Sequence, residues 1–507
     1  MKIKEKILSD KTFNISIWVA MALMLGLGIF ISTIKEFWYD EVAVFGYIRS
    51  DISIFDMFHY YATIEVTNLP LYTLIAYPFY HLLPASDFFV LLPSIIMSIA
   101  ACVLMVKLAD KIVGRVGGYI TLFIVVLSRT MMAKVGTCLR AYSLMILGSV
   151  FFIYMLYELY GIKNKNSDVG DEGQTKNKSF IKTMLIACFA GLLLAFSHYF
   201  GVLFMAITGA IVIVLIIMKK MNIKMIIPFA FSGVIFTAWF VYAFATTDKD
   251  VSSFWIAPPT LISVADMFGY VLSGSIVLLA IWGMSVIYTI VKAIVTKNFF
   301  NIHVFNVAIV ALITGVIFIY SAYINPGGGL FEGRYFFVIF PNMVLSIAYY
   351  LDGLIKLIGK LKDKKVIYYT LMTVLTIGFI GTACDLIDKN EGAVYYQYDR
   401  YNFFAEYIIK AGDIEKDDVI LVLNSYDEVG KVTQEGWLDY YLIRQGYTPS
   451  RVVEVDDGDL DNIVEDYGEG IRRIYVFGDT DHFDYDGDDF EITDQFSYEK
   501  GTVMDRK

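Results

Sequence analysis

Charge is what this chain has least of. Only 18% of its 507 residues are Asp, Glu, Lys or Arg, against 57% hydrophobic and 16% aromatic, and the mean hydropathy is +0.59. A soluble globular domain carries about 25% charged residues, so a water-soluble fold with a few buried helices is excluded. Cysteine is scarce too. Four in 507 residues make no disulfide framework. Cys102 and Cys188 sit inside apolar runs and read as small buried side chains, while Cys138 and Cys384 could share a face. The net charge of −10 conceals an imbalance: the chain from Asp385 to Lys507 carries −19, the rest +9. The basic excess is too dispersed to suggest a nucleic-acid partner and fits positive-inside loops.

What the chain has in abundance is long apolar runs. Lys2, Lys4, Lys6 and Lys11 precede the first, residues 13–34, which reads as an uncleaved anchor with its N-terminus in the cytoplasm. Further spans are expected at 88–106, 117–133, 141–160, 181–197, 199–218, 225–245, 265–294, 304–323, 335–355 and 366–384, making eleven. Basic clusters then fall at every inner loop. Residues 35–86 form a long outer loop containing two interfacial helices, one at Ser50–Phe58 and one at Leu69–Leu83. The second is apolar, but it is short for a span and interrupted by Pro78. Counting it as a span would put Lys107, Lys111 and Arg115 outside.

Two domains are expected, a membrane domain at 1–384 and an acidic extracytoplasmic domain at 385–507. In the tail, Val419–Asn424, Val452–Val455 and Ile474–Phe477 read as strands. Tyr401–Ala411, Gln434–Gln445 and Leu460–Tyr467 read as helices between them, which suggests a small α/β fold with a parallel sheet. The acidic run 479–489 is no EF-hand: with Gly487 at loop position six, His482 and Thr493 would hold positions one and twelve.

The polar residues that bear chemistry lie at the ends of apolar runs. Asp40 and Glu41 follow the first span inside an aromatic cluster, Phe37-Trp38-Tyr39. Arg140 and Tyr142 stand where an outer loop enters the fourth span, and His198 lies in a tight turn between two spans. Arg334 and Tyr335 close the glycine-rich loop 325–335 at the head of a span. An arginine at a helix end can simply snorkel to headgroups, and a lone histidine can serve a neighbouring helix. Together, cations beside a lipid-facing groove suit a phosphate whose tail lies in the bilayer, with arginine the better fork for that anion.

These residues resemble the GT-C membrane glycosyltransferases, and within them the protein O-mannosyltransferase and aminoarabinose-transferase clan. The acidic pair after the first span is one point of likeness. Leu139-Arg140-Ala141-Tyr142 is similar to the clan's Arg-x-Tyr motif, and Arg334–Pro341 to its late Arg-Tyr…Pro motif. Asn68-Leu69-Pro70-Leu71-Tyr72 departs from the clan's His-Pro-Pro-Leu-Tyr by losing a histidine and a proline.

The resemblance, which covers residues 1–384, implies an inverting transfer of a sugar from a polyprenyl-phosphate donor to an extracytoplasmic glycan, lipid or protein. Asp40 would be the general base with Glu41 assisting. Arg140 and Arg334 would bind the donor phosphate, and Tyr142, His198, Tyr335 and Glu65 would contact substrate. No metal ligands are assigned, no cofactor is called for, and a divalent cation is left open. The alternative from another class is a transporter or flippase for a lipid-linked saccharide, which would place polar groups near mid-membrane on paired broken helices.

Overall fold

Backbone amides and carbonyls find no partner in hydrocarbon, so apolar runs of this length must fold as helices. The computed structural model describes residues 9–34, 37, 40, 41, 44, 45, 48, 53–63, 68–83, 87–164, 173–247, 256–326 and 329–360. Beyond these it describes positions 365, 369, 370, 373, 376, 380 and 381, then 418–424, 452–456, 472–477, 490–496 and 501–506. The chain divides into two compact units, Met1–Ile34 with Asp51–Tyr395, and Lys35–Ser50 with Tyr396–Lys507.

The first unit is a multi-pass helical membrane bundle. Its helices are α1 (Asp10–Ile34), α2 (Ile54–Thr63), α3 (Leu71–Leu82), α4 (Asp87–Ile112) and α5 (Arg115–Leu127). There follow α6 (Tyr142–Asn164), α7 (Gly173–Ala195), α8 (Tyr199–Ile217) and α9 (Ile227–Thr246). The last are α10 (Leu261–Val271), α11 (Ile276–Thr296), α12 (Ile302–Ile319) and α13 (Phe340–Gly359). Among the described residues eight helices are long and apolar enough to cross a membrane, and α5 with a π-helix, Thr130–Gly136, bent by 50° from it, is long and apolar enough as a pair. The expected span at 181–197 corresponds to the shorter apolar part of α7, Ser179–Ala195. The expected last span, 366–384, lies outside the continuously described residues.

One expected span is corrected. The run 265–294 is not one helix but two, α10 and α11, with a turn between them in which Ser273 has φ +69° and Gly274 φ +76°. Hydropathy could not show this, because the break is made by a polar tether. Ser273 Oγ lies 2.7 Å from Ser128 Oγ and accepts from the Thr130 amide at 3.2 Å. Thr130 Oγ1 donates to the Val271 carbonyl at 2.9 Å. The turn between α10 and α11 is thus stitched to the bend after α5.

The two interfacial helices are present and short, 10 and 12 residues where a crossing needs about 20. Ser53 caps α2, its hydroxyl accepting from the Asp56 amide and donating to the Asp56 carboxylate. The helix docks on the C-terminal end of α9 through Phe58 against Trp239 (4.8 Å) and His59 Nδ1 with Tyr242 Oη (2.9 Å). In α3, Tyr72 Oη reaches Ser94 Oγ at 2.7 Å and donates to the Cys138 carbonyl at 3.3 Å. Cys102, Cys138 and Cys188 are buried, and Cys384 lies outside the described residues. At one end of the bundle sit ion pairs, Lys111 with Glu158 and Arg115 with both Asp110 and Asp10.

In the second unit five strands form one sheet in the order β2-β1-β3-β5-β4: β1 (Val419–Asn424), β2 (Val452–Asp456), β3 (Arg473–Phe477), β4 (Phe490–Phe496) and β5 (Gly501–Arg506). The three expected strands pair in parallel. The sheet as a whole is mixed, because β4 and β5 add an antiparallel pair to the β3 edge. These two strands carry Glu491, Asp494 and Asp505 among their apolar residues, so no continuous hydrophobic run announced them. Asp418, buried at the head of β1, is held bidentately by Arg472 at 2.8 and 3.1 Å. The expected tail helices and the acidic run 479–489 lie outside the described residues. So does Glu65.

The α7–α8 turn depends on close approach. A Cβ on Gly201 would stand 2.1 Å from the Leu194 carbonyl oxygen, a backbone atom that cannot step aside. Gly201→Ala is expected to lower thermal stability in detergent by about 1–3 kcal/mol, the usual cost of overpacking. Gly283→Ala, in open space, should leave the melting temperature unchanged.

Candidate active site

Three helix starts meet at one end of the bundle. Arg140 and Tyr142 lead into α6, His198 caps α8, and Arg334 and Tyr335 lie in a 3-10 turn, Gly333–Ile339, that runs into α13. Such starts present amide groups and the positive ends of helix dipoles, which favour an anion.

Tyr142 is buried, its ring edge-on to Phe337 at 5.6 Å, and its hydroxyl has no hydrogen-bond partner among the described residues. A buried phenol without a partner costs free energy unless a bound group supplies one. Arg140 Nη2 donates to Asn68 Oδ1 at 3.1 Å, which ties the turn before α6 to the residue just ahead of α3. The side chain of Arg334 is 11% exposed; it lies 4.0 Å from Glu332 and 5.6 Å from the centre of the Tyr335 ring. Tyr335 in turn packs on His198 (5.0 Å) and Phe200 (5.3 Å).

His198 lies within reach of both arginine charges. Burial pushes its pKa down to about 3, and the charges of Arg140 and Arg334 both push the same way. The ring is therefore neutral, and its Nδ1 accepts from the Phe200 amide at 3.2 Å as the cap of α8. The bare nitrogen at that end requires the neutral form.

The five site residues expected in this unit, Arg140, Tyr142, His198, Arg334 and Tyr335, converge. Asp40 and Glu41 belong to the other unit, where Glu41 is fully buried and Asp40 half-buried, near Phe37 and Phe45 in ring contact at 5.6 Å. Sequence reasoning missed Tyr270, Lys134 and Glu332. Tyr270 stacks on Phe337 at 5.6 Å; Lys134 Nζ lies 3.2 Å over the Tyr270 ring and donates to its carbonyl at 3.1 Å. Lys134 comes from the π-helix after α5 and Tyr270 from the short helix α10. Lone Lys and Tyr residues carry no signal until the breaks are known. No group of three or more His, Cys, Asp or Glu among the described residues is placed to hold a metal ion.

No protein-family model matches the sequence, and no curated protein is significantly similar to it. The architecture does have counterparts. ArnT from Cupriavidus metallidurans bound to undecaprenyl phosphate aligns over 96% of this chain and 97% of its own, with TM-score 0.55 and 9% identity. Its apo state aligns over the same shares, with TM-score 0.55 and 11% identity. The oligosaccharyltransferase of Archaeoglobus fulgidus in its apo form aligns over 92% of this chain and 70% of its own, with TM-score 0.52 and 9% identity. At such identities the likeness is one of architecture. This chain has the GT-C fold of membrane glycosyltransferases.

A neutral His198 makes stability pH-dependent. The unfolded chain binds this proton near pH 6.5 and the folded chain near pH 3, so stability falls as pH drops through that window. Replacing His198 with Asn, which caps helices but does not titrate, should flatten the difference between melting temperatures measured at pH 7 and pH 5. An equal difference in both proteins would rule out this assignment.

Proposed function

We propose that this protein is an integral membrane glycosyltransferase that moves a sugar from a polyprenyl-phosphate-linked donor to an acceptor hydroxyl outside the cytoplasm. The observation that carries the reading is the convergence of Arg140 and Arg334 on Tyr142 and His198 in a buried site. The GT-C fold supports it, as does undecaprenyl phosphate bound to a protein of that fold. In this reading the N-terminus is cytoplasmic and the tail extracytoplasmic, with the basic, ion-paired end of the bundle facing the cytoplasm.

The chemistry follows from the residue types. The acceptor oxygen attacks the anomeric carbon from the face opposite the phosphate. The bond from that carbon to the phosphate oxygen breaks, and its electron pair leaves with the lipid phosphate. One displacement inverts the anomeric centre. Arg140 and Arg334 neutralise the charge that accumulates on the phosphate, where preorganised donors help most. The Tyr142 hydroxyl supplies a further donor to the same anion, and Tyr335 and neutral His198 wall the donor site. Asp40 takes the acceptor proton, with Glu41 assisting. These two roles rest on chain order and chemistry: Asp40 and Glu41 are adjacent acids a few residues after the first span, beside aromatic residues.

Purified protein given a panel of radiolabelled polyprenyl-phosphate sugars tests the reading. Wild type should release lipid phosphate and label an acceptor, whereas a protein that only flips the donor would leave all label on the lipid. Asp40→Asn should reduce turnover by at least about 10²-fold, the typical share of acid–base catalysis, with donor binding intact and Glu41→Gln less affected. Near-normal turnover in Asp40→Asn beside a dead Glu41→Gln would move the base one residue along.

Lys offers a point charge in place of a planar fork. Arg140→Lys and Arg334→Lys should each weaken donor binding with the melting temperature unchanged. Normal donor use by both would remove the phosphate role.

A further inference from the structure

A second cluster lies midway along α13, at Tyr349 and Tyr350, well down the chain from Arg334 and the 3-10 turn that holds it. Lys292, near the end of α11, donates to Tyr288 Oη at 3.0 Å and sits over the Tyr349 ring at 4.5 Å. His303, at the start of α12, stacks face to face on the other aromatic neighbour of this group, Tyr349, at 3.4 Å; its buried Nδ1 has no hydrogen-bond partner among the described residues. A Cβ on Gly353 would come within 2.2 Å of Tyr288 Oη, so the glycine gives that hydroxyl its place. This is a built cluster of one cation, tyrosine hydroxyls and a buried imidazole.

An open groove of about 520 Å³ starts from it, the size of a small-molecule or lipid site. Met284, Ile287, Val291 and Val295 recur every three or four residues along this face of α11 and are exposed to the surroundings of the bundle. Tyr350 closes the groove from α13, and no acidic residue lines it among the described residues. The arrangement is an apolar channel along a helix with a positive, hydroxyl-rich head.

We propose that this groove binds an anionic glycerophospholipid, its phosphate on Lys292 and the tyrosine hydroxyls and one acyl chain along α11. Charge decides the occupant: a lysine with no acid beside it among the described residues discriminates for a lipid of net negative charge. The site is separate from the arginine pair and does not depend on the transfer reaction.

Full-length protein in nanodiscs with photoactivatable phosphatidylglycerol or phosphatidylcholine tests it, with labelled peptides mapped by mass spectrometry. Phosphatidylglycerol should label peptides spanning 284–295 or 349–350 about fivefold more than phosphatidylcholine, the share of one lysine near a charged lipid surface. Lys292→Gln should bring the two lipids level, and Lys292→Arg should keep the preference. Equal labelling of wild type by the two lipids would overturn the proposal, as would label mapping elsewhere or an unchanged preference in Lys292→Gln. So would displacement by equimolar polyprenyl phosphate, which would make the groove a site for the lipid carrier instead. The wild-type comparison and the label map stand even if the Gln variant does not fold.

Discussion

Two arginine charges that act on one buried histidine constrain what surrounds them. A guanidinium taken partly out of water loses hydration that other groups must replace. The fold meets the cost with specific groups: Asn68 on Arg140, and Glu332 with the Tyr335 ring on Arg334. It also forbids a third cation. His198 lies within the field of both arginines and stays neutral, and its unprotonated nitrogen is used to cap α8. An anion bound here would meet both charges, and Tyr142 adds a hydroxyl with no hydrogen-bond partner among the described residues.

Irregular backbone delivers these groups. Regular helices would carry Lys134 and Tyr270 along their axes; the π-helix after α5 and the turn between α10 and α11 bring one over the other. A second π-helix, Tyr320–Ile324, extends α12 just before the glycine-rich loop, and Ser321 Oγ accepts from the Leu330 amide beyond it. Such departures cost hydrogen bonds inside a membrane and persist where the freed groups are met by neighbours. The hydroxyls of Ser128, Thr130 and Ser273 do this for the bend after α5 and the turn between α10 and α11.

The positions of the regular helices were legible because length and hydropathy alone decide what can cross a bilayer. Pro78 and the shortness of Leu69–Leu83 kept α3 from being read as a span, and the short α3 agrees. The break at 272–275 was invisible for an equally physical reason. Ser273 and Gly274 barely alter the hydropathy of a thirty-residue run, and their effect depends on a partner 145 residues away. In the tail, three strands announced themselves as apolar runs. The β4–β5 pair, half-polar, did not.

The sequence by itself determined a polytopic membrane protein with an acidic tail, and it marked Arg140, Tyr142, His198, Arg334 and Tyr335 by placing polar groups at the ends of apolar runs. Tertiary structure decided which of those ends share one site. It also supplied Asn68, Glu332, Tyr270 and Lys134, whose roles arise only from contacts between helices. Hydropathy is a sum over one segment and can be read locally; the field at His198 is a sum over two distant arginines and cannot.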